Sequence, residues 1–138
     1  MVDKSLILRK IGEMEEYLKQ VREFQGISVE EFVQDWKIQR IVERTLHMMI
    51  ETCVDIANHI ISDNEYRIPE GYADTFRVLY EQKILTGELS KIMEKMAKFR
   101  NIIIHHYDKI DEEIVVGILK KHLDNFLLFK EAILTFLK

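Results

Sequence analysis

The stretch IQRIVERTLHMMIETCVDIANHIIS, residues 38–62, decides the fold. Apolar residues recur in it every three or four positions, which is the period of an α-helix. The apolar set is wide enough to be covered on more than one side, and such a helix is usually central or at an interface. We therefore predict a long helix around which the rest of the chain packs. Its apolar residues are Ile38, Ile41, Val42, Leu46, Met49, Ile50, Cys53, Val54, Ile56, Ala57 and Ile60.

The rest of the chain is also predicted to be helical. One proline and five glycines in 138 residues, with helical apolar spacing throughout, indicate an all-α fold. Because no linker or repeat interrupts the pattern, residues 1–138 are predicted to form a single domain, a four- or five-helix bundle. The predicted helices run from about Leu6 to Gly26, from Ser28 to about Ser62 with a kink expected near Asp35, from Tyr72 to Ile84, from Glu88 to about Ile104, and onward from Asp111.

Composition narrows the classes of function. The net charge of -4 argues against a protein that coats nucleic acid through many phosphate contacts. The single Cys53 rules out an internal disulfide, and no apolar run approaches the ~18 residues of a membrane span, so we expect a cytoplasmic protein without a membrane partner. The segment from Lys91 to Lys109 is locally basic, which suits contact with RNA at one place or an ordinary solvated helix face.

The most informative motif is RNIIIHHY, residues 100–107. Arg100 offers a permanently charged planar fork suited to phosphate oxygens, and His105 can exchange a proton near neutrality. Cleavage of RNA without a metal needs a base for the 2'-hydroxyl, an acid for the leaving 5'-oxygen and positive charge at the phosphorane. The structural alternative is a salt bridge at a helix end with a capping histidine.

The pattern Arg-x4-His-x-Tyr, with Asn101 directly after the arginine, resembles the signature of the HEPN superfamily and specifically its HepT-like toxin branch. Residues 50–61 resemble the second helix of that family. Pro69, residues 76–85 and Gly87 then follow in the family's order and spacing. The resemblance covers roughly residues 5–136, nearly the whole chain.

This resemblance implies a HEPN-like helical bundle, a symmetric homodimer or higher oligomer, and an endoribonuclease toxin that uses no metal or other cofactor. It assigns stabilisation of the phosphorane to Arg100, acid/base catalysis to His105, and fixing of the backbone or a phosphate to Asn101. Two copies of the motif in one cleft would supply two imidazoles. Tyr107 matches the tyrosine to which a partner nucleotidyltransferase antitoxin of the MNT type attaches AMP. RNA, and not DNA, is the expected substrate.

Helix geometry complicates the assignment of Arg100 and His105 to one site. On an ideal helix His105 lies about 140° around from Arg100, whereas Asn101 comes within about 40° of His105. We therefore expect the helix to loosen near His105 and to turn the imidazole toward the arginine.

A second group of polar residues recurs every four positions on the long helix, so that His47–Glu51 and Asp55–His59 are each expected to touch. Three interpretations stay open. The group could bind a metal; it could border the dimer cleft, with Glu51 and Asp55 orienting Arg100 or His105; or it could be a solvated face with ion pairs. Its members are Glu43, His47, Glu51, Asp55 and His59.

The remaining candidates are expected to be structural. Cys53 should lie in the core, because a reactive thiol needs an exposed, electropositive setting. Trp36 and Tyr17 could stack bases, but burial in the bundle is the expectation for both. Two functions compete with the nuclease: a helical adaptor that binds a nucleotidyltransferase or nucleotides without catalysis, and a metal-binding bundle.

Overall fold

The computed structural model describes residues 2–138, apart from the side chain of Tyr107, and this part of the chain is all-α. The prediction of an all-α bundle is confirmed, although residues 2–138 form seven α-helices where four or five were predicted. The α-helices are α1 (Lys4–Val21), α2 (Val29–Gln34), α3 (Trp36–Asp63), α4 (Tyr72–Glu81), α5 (Gly87–His105), α6 (Glu112–Lys121) and α7 (Asp124–Leu137), with short 3-10 helices at Arg22–Phe24 and Tyr107–Lys109.

The long helix α3 occupies the centre, as its sequence predicts. It packs most extensively against α1 and also contacts α2, α4 and α5, while α4 packs mainly on α5. Most of the predicted apolar set is buried, including Cys53, but Ile41 is 49% exposed. Phe76 of α4 and Phe129 of α7 meet edge to face, with ring centroids 5.7 Å apart. The core therefore links the chain from α1 to α7.

The predicted kink near Asp35 is a complete break between two helices. Ser28 begins α2 with the predicted capping box, in which its Oγ accepts from the Glu31 N–H and Glu31 accepts from the Ser28 N–H. Asp35 then leaves the helical region, with φ -121° and ψ 95°. Its carboxylate accepts from the N–H groups of Lys37 and Ile38, so Asp35 is the N-cap of α3.

The C-terminal part likewise forms two helices where one was predicted. Asp111 caps α6 through a 2.9 Å hydrogen bond from the Glu113 N–H, as expected. The helix ends at Lys121, and the carbonyl of the C-cap residue His122 accepts from the Asn125 N–H in a turn that leads into α7. An ion pair of 2.8 Å between Arg22 and Asp124 ties the start of α7 to the end of α1.

The two aromatic residues differ in their surroundings. Tyr17 is partly buried against the core, in line with the prediction. Trp36 is 63% exposed, so the prediction of its burial is wrong. It is the first residue of α3, and the break at Asp35 turns its ring outward beside Lys37, whose Nζ lies 5.9 Å from the ring centroid.

Within residues 2–138, no helix is both long enough and apolar enough to cross a membrane.

Candidate active site

Arg100 is held from three sides near the C-terminal end of α5. Its Nε donates to Oε2 of Glu51 on α3 at 2.7 Å, and its Nη1 donates to Oδ1 of Asn101 at 3.0 Å. The guanidinium carbon lies 4.3 Å from the centroid of the Tyr72 ring at the start of α4. The Arg100 side chain is only 12% exposed, whereas that of Glu51 is 37% exposed. The guanidinium is therefore oriented before any ligand arrives.

A line of polar side chains on α3 continues from Glu51. His47 Nε2 lies 3.7 Å from Glu51 Oε2, which is ion-pair range but too long for a hydrogen bond. His47 Nδ1 lies 3.2 Å from Nη1 of Arg44. Because arginine only donates, Nδ1 must accept, which leaves the imidazole proton on Nε2, facing Glu51. Burial, and then the charges of Arg100 and Arg44, lower the pKa of His47.

His105 is placed differently from Arg100. It is the last residue of α5 and is exposed. The His106 N–H still donates to the Ile102 carbonyl at 2.9 Å, and the backbone leaves the helix only at His106, with φ -132° and ψ 48°. The helix therefore does end near His105, as expected, but the break comes after this residue and does not turn its side chain toward Arg100. The two side chains leave α5 about 140° apart.

The helix end also sets the backbone of Tyr107. This residue opens the 3-10 helix Tyr107–Lys109, which connects α5 to α6. Its side chain lies outside the part of the chain that the structure describes, so its modification stays a prediction.

Asp55 is not in direct contact with Arg100. One turn beyond Glu51, its carboxylate pairs with Lys10 of α1 and lies 3.7 Å from Nε2 of His59. Asp55 and Glu51 nevertheless line the same cavity of about 360 Å³, together with Lys10 and Tyr72. Of the two carboxylates predicted to orient the motif, Glu51 binds Arg100 directly, whereas Asp55 pairs with Lys10 and His59.

A comparison with known families shows to which of them this chain belongs. A model described as "Ribonuclease HepT-like" matches residues 14–133. The chain belongs to the HepT-like ribonuclease family.

Individual relatives of this HepT-like chain agree with the family model. A Shewanella oneidensis protein described as "mRNA nuclease HepT" is 33% identical over 128 residues, which are 93% of this chain and 96% of that protein. An Aphanizomenon flos-aquae protein described as "tRNA nuclease HepT" is 29% identical over 121 residues, 88% of this chain and 82% of the relative.

A solved structure extends the likeness to three dimensions. The tri-AMPylated Shewanella oneidensis HEPN toxin, in complex with an MNT antitoxin, matches with a TM-score of 0.87 at 32% identity. The match covers 98% of this chain and 99% of the solved one. The HEPN-like fold predicted from the motif is thereby confirmed.

The polar residues on α3 of this HepT-like chain form ion pairs. His47–Glu51 and Asp55–His59 are each in ion-pair range, as predicted. Glu43 is buried, and burial raises the pKa of its carboxyl group. Among the described residues, no group of three or more His, Cys, Asp or Glu side chains is arranged to hold a metal ion.

Sequence reasoning missed Tyr72 and Lys10 as members of this region. Both belong to helices other than those carrying Glu51 and Arg100, and their contacts span long separations along the chain. No local pattern marks such contacts. By contrast, the four-residue spacing of His47 and Glu51 signals their pairing directly.

Proposed function

We propose that this chain is the toxin of a toxin–antitoxin pair and cleaves RNA as a metal-independent endoribonuclease. The observation that carries the proposal is the fixed orientation of Arg100. Its guanidinium is held by Glu51 and Asn101, and an exposed histidine follows five residues later. Membership in the HepT-like ribonuclease family supports the same conclusion. RNA is the proposed substrate because the reaction uses the 2'-hydroxyl, which DNA lacks.

Each residue of the motif receives a role in this proposal. His105 removes the proton from the 2'-hydroxyl or supplies one to the leaving 5'-oxygen. Glu51 and Asn101 leave part of the Arg100 guanidinium free. This part donates to the charged oxygens of the phosphorane. Glu51 and Asn101 are positioning residues, because they act through Arg100.

The separation of Arg100 and His105 supports a site built from two copies. The two residues lie about 140° apart on a regular helix, so a phosphate on His105 of one copy lies away from Arg100 of the same copy. A symmetric homodimer with the two α5 ends adjacent would combine Arg100 of one copy with His105 of the other. Each of the two sites of the dimer would then hold one such pair.

The proposed inhibitor is a nucleotidyltransferase of the MNT type that attaches AMP to Tyr107. The solved relative is a tri-AMPylated HEPN toxin in complex with such an antitoxin. In this chain Tyr107 follows the catalytic His105 by two residues, where the backbone has left α5. A bulky anionic group at that position would repel the phosphates of RNA and block access to His105.

The first test is RNA cleavage in the presence of EDTA. Purified wild-type protein, Arg100→Ala and His105→Ala are incubated with total cellular RNA, and the products are resolved on a denaturing gel. Cleavage by wild type alone is expected, and single-stranded DNA should stay intact. If both variants cut RNA as well as wild type, the assignment of the site is overturned. Intact mass measurement establishes beforehand whether Tyr107 already carries a nucleotide.

A mixing experiment tests the composite site. Arg100→Ala and His105→Ala are each expected to be inactive alone, but a heterodimer of the two would contain one intact pair. After subunit exchange at equal concentrations, we expect recovery of up to about a quarter of wild-type activity, since half of the dimers are mixed and each has one good site. Failure to recover any activity, with exchange verified by mass, would place both residues of a working site in one copy.

A non-catalytic adaptor is the second candidate function. The observation that favours it is the ion pair between Arg100 and Glu51, which neutralises the guanidinium inside one copy. In that case Arg100→Ala would destabilise the fold, and wild type would cut no RNA while still binding a nucleotidyltransferase. Single-domain folding of residues 1–138 and a cytoplasmic location stay predictions in either case.

A further inference from the structure

One face of α5 carries a row of exposed lysines that leads to His105. Lys91, Lys95, Lys98, Ile102 and His105 follow one another at intervals of four, three, four and three residues. This spacing places all five within about 80° of one another around the helix axis, over about 21 Å of its length. The three lysines and His105 are exposed. Below, Lys91, Lys95 and Lys98 are called the lysine row.

The charges of the lysine row are not compensated within the described part of the chain. Other basic residues are paired, such as Lys10 with Asp55 and Lys130 with Glu15, but no described carboxylate pairs with the row. Glu94 is the only acidic residue between Lys91 and His105. Its carboxylate already accepts from Arg77 and from the hydroxyl of Ser90, each at 3.0 Å.

A groove with an apolar floor runs beside the lysine row, between α5 and α6. Its volume is about 420 Å³, which is within the usual range of ligand sites. The buried side chains of Met96, Phe99 and Ile118 form its floor. Lys95, Lys121 and His122 also line it, and both lysines are exposed. The groove thus combines an apolar surface with positive charge on both of its helices.

We propose that the lysine row and the α5–α6 groove form a binding track for single-stranded RNA that guides the strand to His105. The phosphates contact the lysines, and an unstacked base enters the groove. This inference rests on the proposed nuclease function and adds the path of the substrate. A duplex keeps its bases stacked and paired, so a groove that takes up a base selects unpaired RNA.

The charge of the row favours a polyanion over a second copy of this chain. In a symmetric contact through this face, two identical lysine rows would oppose each other, and like charges in contact disfavour association. A negatively charged strand instead releases its counterions when the lysines bind it.

Charge-neutralising variants test the track against a matched control. Lys91→Gln/Lys95→Gln/Lys98→Gln and the control Lys4→Gln/Lys19→Gln/Lys37→Gln each remove three exposed lysines, so their net charges are equal. Both are made in a His105→Ala background to prevent cleavage. Binding to a labelled oligouridylate of about 12 nucleotides is measured by fluorescence anisotropy over a salt series.

We expect the row variant to bind at least about tenfold more weakly than the control at low salt. Its slope of log affinity against log salt concentration should be less steep by about 2, since each lost phosphate contact on a single strand removes about 0.7. Circular dichroism verifies that both variants are folded.

A second variant tests the groove without changing charge. Gly117 lines the groove, and a Cβ added there meets no atom within 4 Å. Gly117→Leu therefore places a side chain in the groove. The substitution should not weaken α6, because leucine has a higher helix propensity than glycine. We expect weaker RNA binding with an unchanged salt slope. Gly12→Leu, at another helical glycine whose added Cβ meets no atom within 4 Å, is the matched control.

The outcomes separate this inference from the nuclease proposal. If wild type cleaves RNA but the row variant binds RNA as well as its control, the track is overturned and the nuclease stands. If the row variant loses only binding to a nucleotidyltransferase, the row belongs to the protein partner, and the track is again overturned. If the His105→Ala protein binds no RNA even at low salt and wild type cuts none, both proposals fail.

Discussion

The two ends of the Arg-x4-His motif lie in opposite environments. Arg100 is mostly buried and is fixed by Glu51, Asn101 and Tyr72 on three helices. His105 is exposed at the last position of α5. This difference suits the proposed roles, in which Arg100 holds a fixed charge and His105 exchanges protons with a bound substrate. Substitutions of Arg100 and His105 should therefore differ in their effect on stability even where their effects on cleavage are similar.

Removal of either end tests this difference and has the largest expected effect. His105→Ala should lower the cleavage rate about 10²–10⁴-fold and leave the thermal midpoint unchanged, because the imidazole is exposed. Arg100→Ala should lower the rate by a similar factor and also cost about 1–3 kcal/mol of stability, since two hydrogen bonds of a charged group are lost. Cleavage is read from gels and stability from circular dichroism. Equal stability losses in the two variants would break the comparison.

Glu51→Gln tests the contact that holds the buried Arg100 in place. The amide keeps an oxygen that accepts from Arg100 Nε but removes the opposite charge, so the guanidinium is held less firmly. We expect about a tenfold lower cleavage rate, equivalent to about 1.4 kcal/mol in the barrier. Asp55→Asn is the control, because Asp55 lies on the same helix but pairs with Lys10 and His59. An equal loss of rate in both variants would show that the contact with Arg100 is not what matters.

His47, which lies beside Glu51, should make the stability of the protein depend on pH. Its pKa in the folded protein is lowered from the ordinary value of 6.5, so unfolding takes up a proton at pH values between the two. The free energy of unfolding should therefore fall as pH falls through 6.5. His47→Gln should show a smaller loss of stability than wild type when urea unfolding is compared at about pH 7.5 and about pH 5.5. His59→Gln is the control on the same helix, and an identical pH dependence in wild type and His47→Gln would contradict the prediction.

The smallest effect is expected at Arg67. This arginine is paired but exposed, so its substitution distinguishes the effect of burial on stability from the effect of ion pairing. Arg67 forms four hydrogen bonds of 2.7–3.1 Å to Asp74 and Glu81, but the site is exposed. These bonds hold the pKa of Asp74 down at about 2. Because water replaces the lost contacts, Arg67→Gln should shift the thermal midpoint only slightly and leave cleavage unchanged. A loss as large as that of Arg100→Ala would mean that pairing matters more than burial.

The sequence predicts those features of the molecule that local patterns encode. The apolar period of residues 38–62 predicts α3, and the caps at Ser28 and Asp111 are found where their residue types place them. The motif predicts the fold of the whole chain, because the family that carries it shares that fold.

Contacts between distant residues could not be predicted in the same way. The Tyr72 ring meets Arg100 only because α4 packs on α5, and periodicity does not report which helix covers which. The direction of His105 depends on whether the helix ends before or after it, a difference of one residue. Helix ends are the least certain part of any such prediction.

The break at Asp35 that turns Trp36 outward has a practical consequence for the study of this protein. Trp36 is the only tryptophan, and its indole is already largely in water. Its emission spectrum should therefore change little when the chain unfolds, which makes intrinsic fluorescence a poor probe of stability. The same indole would shift to shorter wavelength if a macromolecule covered the start of α3. The protein thus carries a label-free reporter of docking at the α2–α3 junction.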